Sequence, residues 1–337
     1  MRTYETAGTD RTTTANGRAY RTRAYRTTAY GTKAHGAKST KAYGTTALCA
    51  LLLATATACG VADGTEGGDR GTTPRSATLR ERALLDRAEE TLVDRCMDRN
   101  GFEYHPAPQA TADELRVFPY VVDDPAWARE HGYGGALDRA AVRERKDNPN
   151  AAYVRTLPPD RRRAYGTTLY GDGGKAIEVT VPTGLDVRRS RTGCLSEAQG
   201  TLYGDLREWF RVDNVASNLP DHGAELRRAP DYRAAAGKWS ACMTDRGHPY
   251  DSPDDVRRKL PALTKGASPD EAHAVEVRLA TAEAECARRT PLAATVDRLA
   301  RELARPDRER YAAEIEGRDR MRLVALEQAR ARELLPR

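Results

Sequence analysis

The chain has 337 residues and carries 55 basic and 49 acidic side chains, a formal charge of +6 that would suit a nucleic acid or an anionic surface. Nine of the basic residues and two of the acidic ones lie within residues 1–58, so 46 basic and 47 acidic residues remain in the rest of the chain. The charge of this larger part is close to zero. We therefore expect no nucleic-acid partner.

The N-terminal residues have the organisation of an export signal. Residues 1–46 are basic and of low complexity, and we expect them to be disordered and cytoplasmic. Residues 47–58 form the apolar signal segment, which ends in small residues as a cleavage site does. Cys59 follows directly and resembles the lipid-carrying Cys of a bacterial lipobox, although Ala56 stands where a lipobox usually has Leu. A soluble secreted form and an uncleaved apolar anchor therefore stay open as alternatives.

Residues 59–76 contain many Gly and Thr residues and no apolar period, which predicts a lipid anchor followed by a flexible tether. After the tether, a nine-residue pattern, C-M-x-x-x-G-x-x-Y, occurs twice, at 96–104 and 242–250. Cys and Met are scarce, so we interpret the repeat as an internal duplication. An apolar helical stripe leads into each Cys, and each Gly stands where a left-handed helix cap would lie. We expect two helical units, at 77–220 and 221–337.

The first unit begins with a helix that starts near Ser76 or Thr78 and ends at Gly101. Residues 105–170 are rich in Pro and aromatic residues and have no clear period. A short helix at 126–130 is expected there, and the remainder is either a functional loop or a set of further short elements.

The next residues of the first unit alternate between apolar and polar at 175–190 around the turn Pro182-Thr183-Gly184, which predicts a β-hairpin. One continuous helix is then expected from Cys194 towards Leu219.

The second unit begins with a helix that ends at Gly247. A capping box, Ser268-Pro269-Asp270-Glu271, then predicts a helix start with Pro in the first helical position. Residues 292–335 are highly charged, and we interpret them as a solvated helical pair with a break at Pro306. No a/d heptad is sustained there, which disfavours a coiled coil. The fold class that follows is mainly α with a small β-hairpin, in two disulfide-stapled helical units.

Four cysteines remain after those of the signal segment and the anchor: Cys96, Cys194, Cys242 and Cys286. An even number in an exported chain indicates two disulfides, and their wide spacing disfavours zinc or copper. Four cysteines allow three connectivities. Because each unit holds two of them, the duplication favours pairing within the units, Cys96 with Cys194 and Cys242 with Cys286.

Several residue groups resemble the uncharacterised secreted lipoproteins of actinobacteria such as Streptomyces, over about residues 80–300. The resemblance rests on the following groups: Pro119-Tyr120, Asp123-Asp124, Ala126-Trp127-Ala128, His131-Gly132-Tyr133-Gly134, Gly193-Cys194 with Glu197-Ala198, Trp239-Ser240-Ala241-Cys242-Met243, and Glu285-Cys286. It implies an exported protein with paired cysteines, and it implies no particular activity.

No motif of a catalytic nucleophile, metal centre or phosphate loop is present in the mature part, so we assign no catalytic residue, metal or cofactor. His131, which is flanked by Glu130 and glycines, is the best isolated candidate for acid–base work. The aromatic segment 118–135 could offer Tyr120, Trp127, His131 and Tyr133 to a glycan or peptide, or these rings could pack the core. We expect a lipid-anchored binding or structural module on the outer face of the cell membrane, with a cell-envelope glycan or protein as its partner. A cell-envelope hydrolase is the alternative.

Overall fold

The computed structural model describes residues 74–335, and the predicted leader, signal segment and Cys59 lie outside them. The described part is mainly α-helical with one two-stranded antiparallel sheet. The elements in chain order are α1 (Leu79–Arg99), α2 (Ala112–Leu115), α3 (Pro125–His131), α4 (Gly135–Lys146), α5 (Pro149–Thr156), α6 (Pro159–Tyr170), β1 (Ala176–Thr180), β2 (Asp186–Ser190), α7 (Cys194–Tyr203), α8 (Leu206–Ser217), α9 (Gly223–Arg228), α10 (Pro230–Asp245), α11 (Pro253–Leu263), α12 (Pro269–Arg289), α13 (Leu292–Arg310) and α14 (Ala312–Ala331).

Side-chain caps fix the starts of the two 21-residue helices α1 and α12. Thr78 and Glu81 form a reciprocal capping box at α1, and Ser268 and Glu271 form the one predicted at α12. The side chain of Arg75, together with the backbone of Thr78, lowers the pKa of Glu81 to about 2. Both starts agree with the sequence prediction, because a capping box needs only residues that are three positions apart.

The duplicated pattern forms the same helix end in both copies. At the end of α1, the N–H of Phe102 donates to the carbonyl of Met97, and the N–H of Gly101 donates to that of Asp98. At the end of α10, the corresponding bonds run from 248 to 243 and from 247 to 244. This is the Schellman arrangement, in which the residue after the cap adopts a positive φ. Gly101 has φ +72° and Gly247 has φ +79°, which explains the invariant Gly of the pattern.

Both predicted disulfides are present. Cys96 pairs with Cys194, with their Cα atoms 5.5 Å apart, and Cys242 pairs with Cys286, with their Cα atoms 5.8 Å apart. Each bridge joins the last turn of a Schellman-capped helix to a second helix, α7 in the first copy and α12 in the second. The pairing within units is therefore confirmed.

The predicted hairpin is also confirmed. Strands β1 and β2 pair in antiparallel register with Val179 opposite Val187, and Ile177 is buried at 2% exposure. Strand β1 packs against α8.

The prediction for residues 105–170 missed several helices, namely α2, α4, α5 and α6. The prolines of this stretch do not break helices here. Pro149 and Pro159 each occupy the start of one, where the missing N–H costs nothing because the first N–H groups of a helix have no partner within it. The sequence left open either a functional loop or a set of further short elements, and the structure shows the short elements.

Two other helix predictions were wrong. The helix expected from Cys194 to Leu219 is two helices, because Gly204 adopts φ +83° and Asp205 caps α8 by accepting from two backbone N–H groups. The break expected at Pro306 occurs instead at Tyr311, and Pro306 lies within α13. Pro306 is exposed, so the carbonyl that it leaves without an N–H partner can be hydrated.

Each predicted unit contributes a segment to the core of the other. Val121 of the first unit is buried in the same cluster as Trp239 of the second. Leu326 of α14 is buried in the same cluster as Leu85 and Trp209 of the first unit, so α14 is not the solvated helix that its charge suggested. The boundary predicted at 220 divides the sequence but does not divide the interior.

Within the second unit, His222, which immediately precedes α9, links the start of this helix to α13. Its Nε2 lies 2.8 Å from Asp307 Oδ2 of α13, and its Nδ1 lies 3.2 Å from Glu225 Oε2. The bond with Asp307, followed by that with Glu225, raises the pKa of His222. A protonated imidazole donates from both nitrogens, so it can join the two carboxylates at once.

Candidate functional site

The predicted aromatic site, residues 118–135, forms a strap across α12. The short helix α3 lies at its centre and begins where the Asp124 carboxylate accepts from the N–H groups of Ala126 and Trp127, at 2.9 and 3.1 Å. It ends at Gly132, so the helix predicted at 126–130 is confirmed. The strap positions all four candidate ligand-binding residues.

Trp127 faces the interior. Its side chain belongs to a buried cluster with Ala280 and Ala284 of α12, and only 4% of the residue is exposed. The ring of Phe118 lies 4.8 Å from that of Trp127, measured between centroids. Small residues on α12 leave room for this indole, and the ring is not presented to solvent as a platform for a ligand.

Tyr133 is bonded to a buried acid. Its hydroxyl donates to Glu283 Oε2 at 2.7 Å, and Glu283 has no exposed surface. Oε1 of the same carboxylate accepts from the backbone N–H of Val122 at 2.8 Å and from Arg257 at 3.1 Å. Burial raises the pKa of Glu283, whereas Arg257 and the two other donors favour the ionised form.

Tyr120 joins the same network through its backbone. Arg257 donates to the Tyr120 carbonyl at 3.0 Å, and the ring packs against the buried cluster around Trp239. The guanidinium of Arg227 lies 5.7 Å from the centre of that ring. Arg257 therefore ties the start of the strap to Glu283, as Tyr133 ties its end.

The glycines of the strap permit close contact with α12. A Cβ atom on Gly132, which has φ +60°, would lie 2.6 Å from Glu276 Cβ. Gly135 instead donates its N–H to the Glu276 carboxylate at 2.9 Å, where a side chain would overlap that carboxylate. These contacts explain why glycines occur at positions 132 and 135 of the strap.

His131 lies beside two carboxylates. Its Nε2 is 3.6 Å from Asp113 Oδ2 and 3.8 Å from Glu130 Oε1, distances that allow an ion pair but exceed a hydrogen bond. The imidazole packs against Trp127, with the ring centroids 5.1 Å apart, and the buried Nε2 makes no hydrogen bond with any group in the described part of the chain. A proton relay through either carboxylate would require the side chains to approach each other further.

Sequence reasoning missed the acids that hold the strap, Glu276 and Glu283. Both are buried on the face of α12 that also carries Ala280 and Ala284. A Glu within a run of small apolar residues was the available signal, since an acid on the buried face of a helix needs a donor from elsewhere.

Comparison with known proteins gives no relative, because no protein-family model, curated protein or solved structure matches this chain. Within residues 74–335, no group of three or more His, Cys, Asp or Glu side chains is arranged to hold a metal ion. Over the same residues, none of the helices combines the length and apolar character that a membrane crossing needs.

Proposed function

We propose that the chain is exported, carries a lipid on Cys59, and acts as a binding or structural module on the outer face of the cell membrane. The observation that carries this proposal is the pair of disulfides, Cys96–Cys194 and Cys242–Cys286. Structural disulfides form and persist in oxidising compartments and are rare in the cytosol.

The energetics of the bridges support a structural role. They enclose 98 and 44 positions of chain, and in the chain-entropy model such loops stabilise the folded state by ~4 to 5 kcal/mol each. A stable domain unfolds with only ~5 to 15 kcal/mol. A protein built on both bridges would therefore lose much of its stability under reducing conditions, which favours an exported location.

The leader supports anchoring. A basic stretch, an apolar segment and the sequence Ala56-Thr57-Ala58-Cys59 succeed one another in the order that export and lipidation require. These residues lie outside the described part of the chain, so the support for anchoring comes from the sequence.

A binding or structural role suits the strap better than hydrolysis does. Trp127 and Tyr133 have buried partners, and no carboxylate of residues 74–335 lies within hydrogen-bond distance of His131. The hydrolase alternative depends on His131. Replacing His131 with Gln should leave any activity on envelope polymers unchanged, and loss of such an activity would favour the hydrolase.

The anchoring test uses the full-length chain in an actinobacterial host. Mass spectrometry of the membrane fraction should find a diacylglyceryl-modified N-terminus at Cys59. Cys59→Ser should release the protein or leave its precursor uncleaved, whereas Cys49→Ser, the matched control within the signal segment, should change neither outcome. An unmodified N-terminus at Cys59 in the culture fluid would refute lipidation but not export, and free thiols at the four other cysteines would refute export.

A further inference from the structure

A concavity of about 330 Å³ lies beside the first disulfide, away from the strap. It is surrounded by the ends of α1 and α6, the start of α7, and Thr192 of the segment between β2 and α7. Its polar wall consists of three threonines, two acids and one amide: Thr167, Thr168, Thr192, Asp172, Glu197 and Asn100. This volume is at the small end of the range for ligand pockets, and it suits a single small unit.

The frame of the concavity is rigid. The Cys96–Cys194 bridge joins two of its walls, and Gly193 at the start of α7 packs on Gly171 at the end of α6. A Cβ atom on either glycine would overlap the backbone opposite. A site held in this way loses little conformational entropy when a ligand binds.

The wall offers hydrogen-bonding groups that the protein itself does not use. The hydroxyls of Thr167 and Thr168 make no hydrogen bond with any group in residues 74–335, and each can both donate and accept. At the start of α7 the cap residue, Gly193, has no side chain to accept from the first N–H groups of the helix. The wall therefore offers both donors and acceptors to a ligand.

The charges of the wall favour a neutral ligand. Glu197 is paired with Arg99, so its charge is offset. The N–H of Gly174 and the hydroxyl of Thr192 bond to Asp172 and lower its pKa, and Lys175 adds to this effect. The ionised Asp172 would repel an anion, and the two nearby cations weaken the attraction for a cationic ligand.

We infer that this concavity binds a neutral, hydroxyl-rich ligand, a sugar unit of a glycan. A pyranose carries several hydroxyls that donate and accept, which matches the threonines and the acids of the wall. The inference rests on the proposed function only in that an exported chain would meet envelope glycans. With few bonds and no aromatic platform in the wall, we expect a dissociation constant on the order of 1 mM.

The test is an NMR titration of the full ¹⁵N-labelled chain with methyl α-D-glucopyranoside. Glucose 6-phosphate serves as the anionic probe and spermidine as the cationic one. The neutral sugar should cause saturable shifts confined to amides around the concavity. Thr168→Val keeps the shape of the side chain and removes one hydroxyl, so the dissociation constant should rise about fivefold, as loss of one hydrogen bond predicts.

The matched control is Thr183→Val, which removes an exposed hydroxyl from the hairpin turn and should leave the dissociation constant unchanged. Thr167→Val supplies a second test if Thr168→Val disturbs the spectrum as a whole. The inference is overturned if the neutral sugar gives no saturable shift, if the valine variants bind as the parent does, or if only spermidine or the phosphate binds. The titration is done in solution and does not depend on export. A negative titration therefore does not contradict the export proposal, and a chain that is not exported does not change the titration result.

Discussion

Removing the buried carboxylate of Glu283 should be among the most destabilising single changes in this protein. Glu283 has no exposed surface and accepts from the Val122 N–H, the Tyr133 hydroxyl and the Arg257 guanidinium. Glu283→Ala leaves all three donors without their acceptor and opens a cavity beneath the strap. The carboxylate holds both ends of the strap, so the effect should extend beyond α12.

The expected magnitude follows from burial. Breaking a buried ion pair by removing one partner costs about 3–5 kcal/mol, and an orphaned buried donor costs about 1–3 kcal/mol. These costs are not additive, and Arg257 keeps 20% of its side-chain surface exposed, so water can partly replace the lost carboxylate. We expect Glu283→Ala to lower the free energy of unfolding by ~3 to 4 kcal/mol. Glu283→Gln keeps the shape and one acceptor, and should cost ~1 to 2 kcal/mol.

A neighbouring acid on the same helix provides the control. Glu285 pairs with Arg246 at 2.5 Å and with Arg129 at 3.4 Å, but 31% of its side chain is exposed. Solvent screens such pairs, so Glu285→Ala should cost at most ~1 kcal/mol. The two alanine variants differ mainly in whether the lost carboxylate was buried.

The assay is equilibrium unfolding in urea with the disulfides intact, followed by circular dichroism and by tryptophan fluorescence. The indole N–H of Trp239 donates to the Glu283 carbonyl at 3.2 Å, so its emission reports on this region. A double-mutant cycle with Tyr133→Phe should give a coupling free energy above ~0.5 kcal/mol. Equal losses in the Glu283 and Glu285 alanine variants, or no coupling to Tyr133, would refute the reasoning.

Three further predictions concern local structure. The pKa of His222 is raised in the folded state, so its contribution to stability is complete below the ordinary pKa of about 6.5 and is lost as the pH rises through the folded value. In urea unfolding, His222→Gln should therefore lower the free energy of unfolding more at about pH 5.5 than at about pH 9. Gly132→Ala should lower the free energy of unfolding by ~3 to 5 kcal/mol, because Gly132 has a positive φ and a Cβ atom there would overlap α12. Gly184→Ala is the control: Gly184 has φ +83° but lies in open space, so the loss should be only ~1 to 2 kcal/mol. Equal losses in a denaturant titration would show that the overlap is relieved. Glu333 has φ +52° in a Schellman end after α14. Glu333→Gly should therefore melt at a higher temperature than Glu333→Ala, because both variants lose the same side chain and only the glycine removes ~1 kcal/mol of backbone strain; equal melting temperatures would contradict this.

The sequence alone determined the features that depend on neighbouring residues. The capping boxes at Thr78 and Ser268, the Schellman glycines and the hairpin each involve interactions over a few positions, so the pattern of residue types carried the information. The disulfide pairing was also within reach, because the duplication placed two cysteines in each half. The individual helices within 105–170 and the continuation of α13 through Pro306 were not predicted, because a proline can begin a helix or lie within one as well as end one.

Only the tertiary structure decided what the strap does. Nothing near Glu283 in sequence shows that its donors come from Val122 and Tyr133, about 150 positions earlier, or that α14 returns to the first half of the chain. A buried carboxylate is stable only where other groups donate hydrogen bonds or a positive charge to it, and separation along the chain does not predict which residues these are. For the same reason the concavity beside Cys96 could not be foreseen, since its wall is assembled from the ends of helices that only the folded chain brings together.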